Sequence, residues 1–235
     1  MTPKRHSYAL PILIVLSAVT VVTAIQAIFL QAPVESTMGI VQKIFYFHVP
    51  AAYAMYLGAL ACFGGSVGFL LHPSDRADAI AKAGAQAAVT FGLIVLVTGP
   101  LWAAKAWGRY WTWDPRLTTS LLSVLVYVAY TLLRAFTGDG EAERKFSAAL
   151  GVLGAANLPI IHYSVQKWSG QHPRVISQGG GGLAPAMKPS LALGFLAFTL
   201  LAILIVWSRA RIELAAARLR HLEEEALDAG LGEES

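Results

Sequence analysis

The chain has 235 residues, of which 56% are hydrophobic and only 14% charged, with a net charge of +4. Soluble domains carry about 25% charged residues, so this composition excludes an ordinary soluble domain and predicts an integral membrane protein. The cations stand beside hydrophobic segments rather than along one basic stripe, which gives no sign of a nucleic-acid partner.

A spanning helix needs about 20 largely apolar residues, which leaves room for roughly six spans joined by short segments. The first apolar run, Tyr8 to Leu30, follows the basic stretch MTPKRHS. It is too long for the core of a cleaved signal peptide and reads as a retained helix with Lys4 and Arg5 at its cytoplasmic foot. Residues 31–47 form a first outer loop, aromatic in its second half. The second span runs from about Pro50 to Leu71, and its Gly64 and Gly68 have the small-xxx-small spacing of a close helix contact. Cys62, within it, is the only cysteine, so the chain has neither an internal disulfide nor a Cys-x-x-Cys-His attachment motif. A polar inner turn at 72–82 leads to the third span, Ala83 to Ala104. No GxxxxGK[ST] run occurs, so P-loop ATP hydrolysis is not expected.

Next comes WAAKAWGRYWTWDPRLT, Trp102 to Thr118, with four of the six tryptophans at 102, 107, 111 and 113. Indole rings collect where hydrocarbon meets water, so the plainest reading is an aromatic belt. A belt does not need Gly108, Pro115 and three cations. Packed rings with Lys105, Arg109 and Arg116 suit a flat, apolar ligand that carries carboxylates. Arg109 and Arg116 have the guanidinium fork that matches a carboxylate, and equally a lipid headgroup. Asp114, before Pro115 at a helix start, is expected to cap that helix or to hold Arg116 by an ion pair.

The fourth span is Leu117 to Phe136, followed by a turn at 137–145 and a fifth span from Phe146 to Val165. A second long loop, 166–189, contains His172 and the run Gly179 to Gly182. The sixth span is Ser190 to Trp207. Residues 209–230 read as an amphipathic helix outside the hydrocarbon, with Arg220 and Glu224, and His221 and Glu225, at i,i+4 spacing. The chain thus divides into a six-helix membrane domain, 1–208, and a cytoplasmic helix and tail, 209–235. With both termini inside, eleven of the 18 Lys and Arg fall on inner segments and seven on outer ones, in agreement with the positive-inside rule. Most of the seven outer cations, Lys43 among them, lie near the aromatic segments, as expected if they neutralise an anionic ligand. His48, the tryptophan cluster and His172 then share the outer face. His162, near the outer end of the fifth span, rivals His172, because a histidine so deep in a span is usually functional or paired. His6, His72 and His221 fall on the inner side and are expected to be solvated.

The run Trp107-Gly108, Trp111, Trp113-Asp114 and Thr118 resembles the tryptophan-rich "WWD" signature of haem-handling membrane proteins. Together with KIFYFHVPAAY (Lys43 to Tyr53) and NLPIIHYSVQKWSGQHP (Asn157 to Pro173), it makes the chain similar to the haem exporter protein C family of cytochrome c maturation, from about residue 8 to about residue 208. The resemblance implies an all-α protein of the bacterial inner membrane. Its six helices would carry the tryptophan loop and two histidine-bearing loops on the periplasmic face.

The resemblance also implies that His48 and His172 are the axial ligands of a haem b held without a covalent bond. Trp107, Trp111 and Trp113 would form the platform, with Asp114 and Arg116 beside it. Arg109 lies outside the signature, and its pairing with a haem propionate is a local reading. The implied activity is handling, not catalysis: haem is held outside the cytoplasm and passed to a haem chaperone. The implied partners, besides the haem chaperone and the surrounding lipid bilayer, are an ATP-binding cassette ATPase, its membrane subunit and a small single-span protein. Two departures stand out. Gln166-Lys167-Trp168 has one tryptophan where a pair is expected, and Gln171 precedes His172 where an apolar residue is usual. Three other readings compete. A single-component cytochrome c synthesis protein shares the signature but is generally larger. A small-solute transporter with an aromatic vestibule needs polar groups through its spans, which are nearly uncharged here. A purely structural subunit would tolerate replacement of the tryptophans and histidines.

Overall fold

In hydrocarbon, a backbone can satisfy its polar groups within one segment only as a helix, and the apolar runs of this chain all do so. The computed structural model describes residues 8–138, 140–167 and 183–230. It contains α1 (Ala9–Gln26), α2 (Phe45–Leu71), α3 (Asp75–Trp107), α4 (Pro115–Phe136), α5 (Glu141–Lys167) and α6 (Lys188–Asp228). All six fall in segments long and apolar enough to cross a membrane. The end of α1 loosens into a π-helical turn, Ala27–Gln31, and a 3-10 turn, Ile40–Ile44, runs straight into α2.

Polar segments expected as turns are largely helical. Instead of 72–82, the turn between α2 and α3 is only 72–74, where Ser74 caps α3 by accepting the Ala77 N–H at 3.3 Å. α5 likewise begins at Glu141 rather than Phe146. The charges that suggested solvent instead pair with one another across helices. Asp78 meets Arg134 at 2.8 Å and Arg144 at 3.3 Å. Asp75 meets Arg144 at 2.7 Å and His221 at 3.0 Å. Lys82 reaches Glu213 at 3.4 Å, and Arg209 donates to Gln86 at 2.5 Å. His221, expected to be solvated, is exposed but tied to Asp75, and its neighbour on α6 is Glu224 at 3.6 Å rather than Glu225.

The expected sixth span and the 209–230 helix are one unbroken helix of 41 residues. At about 1.5 Å per residue it is roughly 60 Å long, about twice the hydrocarbon thickness, so its C-terminal part must leave the membrane.

The core is built on α2 against α3. A Cβ at Gly84 would fall on the Cys62 backbone nitrogen, one at Gly65 on the Ala81 nitrogen, and one at Gly58 would lie 2.6 Å from the Ala88 nitrogen. The sequence pattern pointed instead to Gly64 and Gly68. Gly64 has open space around it, and Gly68 is in ordinary contact with Ala77. The close seam therefore follows Gly58 and Gly65, two helical turns apart, which the i,i+4 motif does not register. Met55, Phe91, Val124, Tyr127 and Tyr130 fill the space beside it. Between α4 and α5, the Asn157 amide donates to Thr119 O at 2.8 Å and Ser123 Oγ at 2.7 Å.

Candidate functional site

At the end of the bundle opposite the α2–α3 turn, the start of α2, the end of α3, the start of α4 and the end of α5 converge. His48 is the fourth residue of α2, not part of a loop before it. The helix starts early because the aromatic stretch is already coiled and anchored. Lys43 is buried and donates from Nζ to three carbonyls at the end of the first span: Ile28 at 2.5 Å, Phe29 at 3.2 Å and Ala32 at 3.1 Å. Those carbonyls have no helical partner. Lys43 is thus a cap for α1 and not a cation facing a ligand, contrary to the charge count. In the segment between the first two spans, the Glu35 carboxylate accepts the Thr37 and Met38 N–H groups. Those bonds, Met38's foremost, hold its pKa below the ordinary carboxylate value.

The surroundings of His48 fix its tautomer. Its Nδ1 lies 2.9 Å from Thr98 Oγ1, and that hydroxyl donates its single proton to Ile94 O at 2.6 Å. The Thr98 oxygen can only accept from the ring, so Nδ1 carries the hydrogen and Nε2 keeps its lone pair. A metal-ligating histidine is oriented in the same way, through its other ring nitrogen. Gly99 allows the close packing: a Cβ there would lie 3.1 Å from His48 Cε1.

His48, Tyr56, Leu96, Trp111, Arg116 and Ile161 border a cavity of about 40 Å³. A water needs roughly 10–15 Å³ of such space, so the cavity admits a few waters and no macrocycle. A porphyrin would have to widen it or lie across its mouth. Two polar groups on its wall lack a hydrogen-bond partner among the described residues. The Trp111 indole nitrogen is buried with no hydrogen bond. The half-buried Arg116 guanidinium makes no hydrogen bond or ion pair with a described residue. Both groups only donate, so an acceptor is what they lack.

The tryptophan cluster is two edge-to-face pairs. Trp102 and Trp107 have ring centroids 5.5 Å apart, and the Trp102 N–H donates to Gln42 at 3.2 Å. Trp111 and Trp113 are 5.7 Å apart, and Trp113 is 76% exposed, so its face is open to a ligand or to lipid. α3 stops because Gly108 takes a left-handed φ of +70°, where its N–H caps Ala104 O at 3.0 Å. α4 starts at Asp114, which accepts the Leu117 N–H at 2.8 Å and the Thr112 hydroxyl at 3.3 Å. Of the two roles expected for Asp114, the cap is the one the hydrogen bonds show.

Other expected site residues are not gathered here. Arg109 is exposed in the loop and does not border the cavity. His162 is exposed beside Ile161, with its ring edge-on to Tyr163 at 5.5 Å. His172, Trp168, Arg174 and the Gly179–Gly182 run lie outside the described residues, as do Lys4 and Arg5. Thr98 and Gly99 had no sequence signal, because only folding brings residues some 50 positions away to His48.

Residues 4–225 match the family model described as heme exporter protein C. Curated relatives of that name include one from Bradyrhizobium diazoefficiens, 34% identical over 195 residues, covering 82% of this chain and 74% of the relative. One from Escherichia coli K12 is 33% identical over 181 residues, covering 77% of this chain and 73% of the relative. One from Rhodobacter capsulatus is 28% identical over 217 residues, 88% of each chain.

Proposed function

Because the chain belongs to the heme exporter protein C family, we propose that it is a multi-pass membrane subunit that handles haem as cargo during c-type cytochrome biogenesis. It binds and passes on the haem without converting it. Haem b is held non-covalently at the tryptophan end, which faces the periplasm of a bacterial inner membrane, with both termini cytoplasmic. From there it goes to a haem chaperone. The partners are an ATP-binding cassette ATPase, its membrane subunit and a small single-span protein. Residues 1–208 carry the haem-handling part, and 209–235 form the cytoplasmic extension.

His48 ligates iron through Nε2, oriented by Thr98. His172 supplies the second axial ligand, with His162 as the rival. Arg116 and the Trp111 N–H receive the propionates, and Arg109 assists from the loop. Trp107 and the exposed ring of Trp113 support the porphyrin, and Asp114 fixes the loop's return into α4. One observation carries this reading: a histidine with a free Nε2 lone pair beside two donors that have no acceptor. That set matches an iron bearing carboxylates, and an aromatic belt has no use for it. The small cavity adds a requirement, namely that haem sits at its mouth or opens it.

The test is the visible spectrum of the purified protein, wild type beside His48→Ala, His162→Ala and His172→Ala. A low-spin haem spectrum is expected in the wild type, lost or high-spin in the His48 and His172 variants. Loss in His162→Ala alone would move the second ligand to His162. A wild type that takes up no haem with its partners co-expressed would sink the reading.

A further inference from the structure

Between α2, α3 and α6, toward the end that carries the α2–α3 turn, lies a groove of about 630 Å³. Its walls are apolar, among them Tyr53, Ile203 and Trp207, and all three are partly exposed, so the groove is open along its length. It follows α6 from Thr199 to Leu214, roughly 22 Å at about 1.5 Å per residue. Arg76, near the start of α3, and Arg211 of α6 border it. Among the described residues, no acidic side chain borders it.

These two arginines differ from the other cations nearby. Lys82, Arg134, Arg144 and Arg209 each hold a carboxylate or an amide. Arg76 and Arg211 are exposed and make no hydrogen bond or ion pair with a described residue.

We propose that this groove binds an anionic phospholipid, with an acyl chain along α6 and the phosphate between Arg76 and Arg211. A long, laterally open apolar channel suits a hydrocarbon chain lying beside a helix. Two guanidinium forks with no hydrogen-bond or ion-pair partner among the described residues suit a phosphate. Trp207 lies one helical turn from Arg211, and an indole at that depth marks the boundary between hydrocarbon and headgroup. The arginine end of the site lies toward the opposite end of the bundle from His48, and the proposal does not depend on the haem reading.

The experiment is native mass spectrometry of the full chain, delipidated and then exchanged into micelles containing either phosphatidylglycerol or phosphatidylcholine. Wild type should retain phosphatidylglycerol with a roughly ten-fold preference, because both lipids offer a phosphate to the guanidinium forks but phosphatidylcholine also brings a choline cation that the two arginines repel. The double variant Arg76→Gln/Arg211→Gln should lose the preference while keeping its helical circular dichroism. Ala61→Phe, which fills the groove from α2, should lower retention of both lipids. Equal retention of the two lipids by the wild type, or an unchanged preference in the double variant, would overturn the proposal. So would displacement of bound phosphatidylglycerol by added haemin, because the groove would then belong to the cargo.

Discussion

Lys43 and His48 stand five residues apart and show how differently a polar side chain can serve within one aromatic segment. Lys43 puts its whole donor set into the open end of α1, so the charge is used up inside the protein. His48 gives one nitrogen to Thr98 and keeps the other. Lys43→Met should leave those carbonyls without a donor. A buried acceptor left unpaired costs about 1–3 kcal/mol, so the unfolding midpoint in detergent should fall measurably. A midpoint equal to the wild type's would show that the carbonyls find other donors.

Among the helices, the α2–α3 seam is the least forgiving contact, because it is backbone against backbone. Gly84→Ala should destabilise strongly: the new methyl meets the Cys62 main chain, which cannot rotate away. Gly64→Ala, on the same pair but with open space around it, should leave stability unchanged or raise it slightly. Thermal unfolding of the two variants side by side checks this, and similar midpoints would mean the helices can separate without cost. The other feature of the helices is where the prolines fall. Pro50, Pro100 and Pro159 lie inside α2, α3 and α5, each toward the tryptophan end. Each removes a hydrogen bond from its helix. The ladder is therefore weakest around the cavity that a macrocycle would have to widen.

Across the whole molecule, the two ends do different work. The tryptophan end presents a histidine, an indole N–H and a guanidinium around one cavity, while the turn end is held by ion pairs that join α3, α4, α5 and α6 through Asp78, Lys82, Arg134, Arg144 and Glu213. The Asp78 and Arg134 side chains are only 8% and 4% exposed, so removing one charge strands the other. Asp78→Asn should cost about 3–5 kcal/mol, the usual penalty for breaking a buried pair. Its haem spectrum, set at the other end, should stay that of the wild type in whatever protein folds. A spectrum altered along with the stability would show that the two ends are coupled.

The sequence by itself determined the number of spans, a turn at the tryptophans with a helix starting after Asp114, and the meeting of His48 with that turn at one end. These follow from hydrophobic run length, capping chemistry and the alternation of spans, all local or additive properties of the chain. It did not determine helix ends at charged segments such as 75–82. A charge next to a span reads as solvated unless its partner is known, and here the partners lie on α4, α5 and α6. Nor did it reveal that Lys43 is a cap, that Gly58, Gly65 and Gly84 form the seam, or that Thr98 sets the His48 tautomer. Each of these is a contact between residues far apart in sequence, made only when the helices pack and bring particular atoms within hydrogen-bond or van der Waals reach.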